Sequence, residues 1–113
     1  MQLLDCVHTL HNLGLVHGDI KPDNICLRLQ GQSLSLYLID FGLATKFQDS
    51  EGKHNERVKG STFCGNLSFA SINKCQLYNV CRMDDFEPIF YMLIYLLNDF
   101  KLPYENAAQL SPY

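Results

Sequence analysis

Several things are missing from these 113 residues, and each absence excludes something. No apolar run is long enough to cross a bilayer. The longest, Ile89-Phe90-Tyr91-Met92-Leu93-Ile94-Tyr95-Leu96-Leu97, falls well short of the roughly 18 residues that a spanning segment needs. No signal peptide is evident at the start, where Asp5 interrupts the apolar residues. No charge of one sign dominates: a formal net charge of −3 gives no reason to expect nucleic acid or an anionic membrane as partner. The five cysteines, at 6, 26, 64, 75 and 81, are odd in number and include no Cys-x-x-Cys pair. Reduced thiols in an intracellular protein, cytoplasmic or nuclear, are therefore expected. Cys6, His8 and His11 lack a fourth ligand at matching spacing, so a helix with two ordinary histidines is expected rather than a metal site. Repeats and low-complexity segments are absent too.

What is present is an ordinary globular composition, 47% apolar and 19% charged, too apolar for disorder. The length suits one small domain or a piece of a larger one. Residues 1–13 read as a helix, with Leu3, Leu4, Val7, Leu10 and His11 near one face, Leu13 beside it and Gly14 as its stop. Leu15-Val16 is extended, and Pro22 keeps the polar loop 18–24 from continuing as helix. Strands are expected at 25–29 and 34–39 around a turn at 30–33, with Leu34, Leu36 and Leu38 alternating against Ser35, Tyr37 and Ile39. From 45 to about 65 the chain turns polar, and 48–57 has no period; a long loop or mobile segment is expected. Residues 68–73 resemble a turn into a short helix. Asp84-Asp85 opens a strong helix to about residue 98, the acids suiting its N-terminus and Pro88 its first turn. That helix is apolar almost all round, the mark of one buried on every side, yet 113 residues offer little to bury it in. Leu102-Pro103-Tyr104-Glu105 ends it, and the last nine residues look like the start of an uncompleted element.

The chemistry concentrates in residues 17–42. His17-Gly18-Asp19-Ile20-Lys21-Pro22-Asp23-Asn24 sets an acid, a cation and an amide close together. The hairpin that follows folds Asp40, of Asp40-Phe41-Gly42, back beside Asn24. A lone Asp in a polar loop is a turn residue, and a lone Asp-x-Gly is a tight turn. Together these groups can hold a metal–phosphate and take a proton from an attacking hydroxyl.

On these residues the chain resembles the protein kinase fold. More narrowly it is similar to the casein kinase 1 superfamily, which includes the vaccinia-related and tau-tubulin kinases. Residues 17–24 and Leu38-Ile39-Asp40-Phe41-Gly42-Leu43-Ala44 match the general pattern. Ala70-Ser71-Ile72-Asn73 stands where most kinases carry Ala-Pro-Glu, a replacement typical of the casein kinase 1 group. Asp84-Asp85-Phe86-Glu87, the apolar helix and Leu102-Pro103-Tyr104 continue the match, and Gly18 is similar to the vaccinia-related kinases.

The resemblance implies an α+β, mainly α, fold: part of the C-terminal lobe, with residues 1–113 a partial kinase domain. It implies ATP and Mg²⁺ as cofactors, and protein Ser/Thr side chains as substrates, with no nucleic acid or membrane partner. Asp19 would be the catalytic base and Lys21 the cation beside the transferring phosphoryl. Asn24 and Asp40 would hold Mg²⁺. Lys21, Asp23, Asn24, Cys26 and Asp40 would make up the nucleotide side of the site. Cys26 falls where kinases place an apolar contact to adenine, though a plain core residue is an equal reading. Phe41 would pack near His17, and Asp85 would either cap its helix or tie it to the catalytic loop.

Three departures accompany the match. Gly18 replaces the Arg that grips a phosphorylated activation segment, so activity independent of phosphorylation at Ser61 or Thr62 is expected. Asn66 stands where related kinases place a Thr bridging the catalytic Asp and Lys. The Gly-rich loop, strand Lys, helix Glu and hinge of the small lobe have no counterpart in the chain. An inactive kinase-like binding or scaffold protein is the alternative.

Overall fold

A computed structural model describes residues 2–105. Met1 and the expected unfinished element after 105 lie outside the described residues. The elements run α1 (Gln2–Asn12), β1 (Leu15–Val16), a 3₁₀ turn (Pro22–Asn24), β2 (Ile25–Gln30), β3 (Ser33–Leu38), β4 (Thr45–Lys46), α2 (Ile72–Cys75) and α3 (Met83–Leu97). This is a small α+β arrangement.

α1 buries Leu3, Val7, Leu10 and His11, the i, i+4, i+7, i+8 stripe of an amphipathic helix. Leu13 falls beyond that face and is exposed. β1 pairs antiparallel with β4, joining Leu15 to Lys46 and Val16 to Thr45. Pro22 starts the 3₁₀ turn rather than only preventing helix, since its missing N–H is tolerated in a first turn.

β2 and β3 form the expected hairpin, registered from Ile25 opposite Leu38 to Gln30 opposite Ser33. Its turn is shorter than expected, only Gly31-Gln32. One face carries Ile25, Leu27, Leu29, Leu34, Leu36 and Leu38, but only Ile25, Leu36 and Leu38 pack against the core. Leu27, Leu29 and Leu34 at the far end are exposed. Cys26 lies on the opposite face and is exposed, which removes the core-residue reading.

The polar stretch has more order than its sequence suggests. Asp49 Oδ1 accepts from the backbone N–H groups of Glu51 and Lys53, and the Asn55 N–H bonds the Phe47 carbonyl at 2.8 Å. Phe47 is buried. α2 starts after Ser71, whose hydroxyl accepts from the Lys74 N–H at 3.1 Å as a true N-cap.

α3 departs from expectation in three ways. It begins at Met83, so Pro88 sits in its second turn rather than its first, where it removes one helical hydrogen bond. Its acids do not cap it: the flanking residue is Arg82, and Asp84 and Asp85 are buried and bonded elsewhere. It is not buried on every side. Asp84, Asp85, Pro88, Ile89 and Met92 face inward, while Phe90, Leu93, Ile94, Leu96 and Leu97 are exposed. The core is formed by Leu3, Val7, Ile20, Phe69, Ile89, Met92 and Leu102 between α1, the polar loop and α3. Each such side chain contributes about 1.5–3 kcal/mol on full burial.

Candidate active site

The site is built on one buried carboxylate. Asp85 has no exposure. Its Oδ2 accepts the His17 N–H at 2.8 Å and His11 Nε2 at 2.9 Å, and its Oδ1 accepts the Gly18 N–H at 2.9 Å. Three donors satisfy a charge that burial would otherwise penalise heavily. α3 thereby fixes the backbone that leads into Asp19, which settles Asp85 as a tether and not a cap.

His17 continues the support. Its Nδ1 accepts the Asp19 N–H at 3.2 Å, so Nε2 carries the proton and donates to the Ile39 carbonyl at 3.0 Å. Phe41 meets the His17 ring edge-on at 5.1 Å between centroids, as expected, although Phe41 is itself exposed. One imidazole thus links the loop before Asp19 to the strand end before Asp40.

Around Asp19 the expected partners converge. Asn24 Nδ2 donates to the Asp19 carbonyl at 2.8 Å and to Asp19 Oδ2 at 3.2 Å. Lys21 Nζ lies 3.6 Å from Asp19 Oδ2. The Asn66 N–H points to Asp19 Oδ1 at 3.4 Å, a long contact. Asn24 is buried by the 3₁₀ turn, and its carbonyl accepts the Ile39 N–H at 2.9 Å, which closes the hairpin base.

Asp40 is placed differently. The Ile39–Asn24 bond brings its backbone next to the loop, but its carboxylate is exposed and Oδ1 accepts the Gly42 N–H at 3.1 Å. Its φ of 61° is a left-handed conformation that Asp tolerates better than most residues. Asp23 is exposed on the 3₁₀ turn. As a cation site, the arrangement has the right chemistry. The Asn24 amide spends its NH₂ on Asp19, leaving its carbonyl oxygen as a hard donor alongside the Asp40 carboxylate.

Gly18 and Asn66 also take on physical meaning. Gly18 has φ 79°, and an added Cβ would stand 3.0 Å from the Leu43 carbonyl oxygen, so any side chain here is strained. The Asn66 side chain bonds locally: its Oδ1 accepts the Ser68 N–H at 2.8 Å. It makes a local turn and not a bridge.

One residue was missed from the sequence. Lys74, on α2, donates from Nζ to the Gly18 carbonyl. Burial lowers its pKa, opposed chiefly by the attraction of Asp19. Nothing in its sequence spacing marks it, because 54 residues, the hairpin and β4 among them, separate it from Asp19. The space between the two is small: the cavity bounded by Gly18, Asp19, Asn66, Ser71 and Lys74 measures about 10 Å³. A larger apolar cavity of about 530 Å³ lies between α1 and β3, lined in part by Leu10, Leu13, Leu36 and Phe41, and it does not include Asp19, Lys21 or Asn24.

Comparison with known proteins places the chain in a family. The protein kinase domain family matches residues 1–72. A probable casein kinase I homolog of Encephalitozoon cuniculi is 36% identical over 111 residues, covering 97% of this chain and 34% of that protein. A second probable casein kinase I homolog of the same organism is 37% identical over 106 residues, covering 93% of this chain and 34% of that protein. The chain spans about a third of the length of the curated relatives it matches.

Proposed function

The chain belongs to the protein kinase domain family, and on that premise we propose that it carries the base, cation and metal ligands of a casein kinase 1-type serine/threonine protein kinase. These residues belong to the C-terminal lobe of that fold. The observation that carries the reading is the setting of Asp19: one carboxylate held by the Asn24 amide, faced by the Lys21 ammonium and fed by a backbone tied to Asp85.

Each residue then has a task. Asp19 accepts the proton of a substrate Ser or Thr hydroxyl as that oxygen attacks phosphorus. Lys21 presents positive charge where the phosphoryl oxygens become more negative. Asn24 and Asp40 would hold Mg²⁺ through hard oxygens, and Cys26, exposed on β2, is available to a nucleotide. Bound Mg²⁺ and ATP supply the neutralised phosphate chain and the transferable group. The two supporting histidines, His11 and His17, touch no reacting atom; they keep the loop in register.

A second reading is a kinase-like binding protein without turnover. It is favoured by the exposed apolar residues Leu27, Leu29 and Leu34 on the hairpin and Leu93, Leu96 and Leu97 on α3. Mg²⁺-dependent transfer from ATP to a Ser/Thr peptide separates the two. Kinase chemistry predicts transfer that is lost in Asp40→Ala. Transfer that survives Asp40→Ala, or its absence with every Ser/Thr substrate offered, would favour the binding protein.

A further inference from the structure

Lys74 belongs to none of the motifs above, yet its ammonium reaches the centre of the site. We propose that Lys74 is a positioning residue for phosphoryl transfer, its ammonium holding the Gly18–Asp19 peptide and adding positive charge near the Asp19 carboxylate. This rests on the kinase reading of the same site.

The position of the ammonium is fixed from behind. Ser71 caps α2 through the Lys74 N–H and donates its own hydroxyl to the buried Asp84 at 2.6 Å. Asn73 Nδ2 reaches the other Asp84 oxygen at 3.0 Å. The short helix that carries Lys74 is therefore bolted to α3 and does not depend on its own few hydrogen bonds. From there Lys74 Nζ donates to the Gly18 carbonyl, while the Gly18 N–H goes to Asp85 at 2.9 Å. α2 holds one side of Gly18 and α3 the other. The next N–H, that of Asp19, is taken by His17. All three polar backbone groups running into the candidate base are held.

Lys74 also stands near the carboxylate itself. The point where a Cβ on Gly65 would stand lies 2.8 Å from Asp19 Oδ1 and 3.0 Å from Lys74 Nζ. Any side chain at position 65, where φ is 101°, would crowd both acid and cation, so glycine leaves that space to them. Phe63 covers another side, its ring centroid 5.5 Å from Nζ. The charged and titratable groups whose fields act on the ammonium are Asp19 from the polar loop, Cys64 from the segment before α2, and Asp84 and Asp85 from α3. A lysine with only a solvated role would extend into water. This one is partly buried against the Gly18 carbonyl, within the electrostatic reach of Asp19, and burial lowers its pKa.

The test compares the full chain as wild type, Lys74→Met and Lys74→Arg by two readouts. One is the ¹³C resonance of the Gly18 carbonyl; the other is kcat and KM for ATP in peptide phosphorylation. Lys74→Met should move the Gly18 resonance and lower kcat about tenfold or more, leaving KM for ATP within about twofold. Lys74→Arg, which keeps charge and donor, should restore most of kcat. An unmoved Gly18 resonance in Lys74→Met, or kcat within about twofold of wild type, would overturn the proposal. If Lys74→Met does not fold, Lys74→Gln, which loses the charge, carries the same two readouts with the same expected and overturning results. A wild type without transfer would end the kinase reading by itself, and the carbonyl resonance would still decide whether Lys74 holds the peptide.

Discussion

Asp85 supports more of the site than any other single residue. Its two oxygens accept three buried donors, two from the backbone before Asp19 and one from His11. Replacing it with Ala strands the His17 and Gly18 N–H groups in a dry interior. Asp85→Ala should cost about 3–5 kcal/mol in urea unfolding, the range for one partner removed from a buried network. A loss under about 1 kcal/mol would mean that water reaches these donors. Asp19, Lys21 and Asn24 were legible in the sequence because they fall within six residues, so loop geometry alone brings them together. Lys74 was not legible, since only the tertiary fold brings α2 to Gly18. Asn66 was legible as a departure, but not as a turn former; that needed the Ser68 contact. If a missing bridge to Asp19 limits the rate, Asn66→Thr should raise kcat by a few-fold, read in peptide phosphorylation; an unchanged kcat would mean the turn is all that position supplies.

At the scale of elements, α3 organises the rest. Through Asp84 it holds α2, through Asp85 the polar loop, and through Glu87 the Ile72 N–H, while Glu87 also accepts the Tyr91 hydroxyl within the helix. Burial, that hydrogen bond and the Glu87 charge push the Tyr91 phenol from 10.0 up to about 12. Folding therefore favours the neutral phenol. This stability is fully present below pH 10 and is lost as pH rises toward 12. Tyr91→Phe should flatten the fall in denaturant midpoint between pH 10 and 12; curves that run parallel to wild type would contradict the assignment. The helix itself was easy to find from its composition, whereas its first residue was not. A one-residue difference in start and a flanking Arg82 moved Pro88 into the second turn and left the two acids free to tie other elements.

The described residues form a thin body, with extents of 49 × 46 × 19 Å. A helix with side chains is about 10–12 Å across. Two layers fill that depth, so α3 has one covered face despite its all-round apolar sequence. An apolar composition marks a helix made for burial, and among the described residues there is protein to cover only one face, as the length of the chain leads one to expect. The hairpin shows the same limit: its near end packs and its far end does not. Leu27→Thr with Leu29→Thr should leave folding stability within about 0.5 kcal/mol while reducing self-association in sedimentation velocity. A large loss of stability would place these side chains in the core after all.

The central claim is that Asp19, held by this frame, is the proton acceptor in phosphoryl transfer. The most direct measurement is kcat for Mg²⁺-ATP phosphorylation of a Ser/Thr peptide by wild type and by Asp19→Asn, which keeps the side-chain shape. The expected result is a loss of about 10²–10⁴-fold with the fold intact. Equal rates in the two proteins would contradict it.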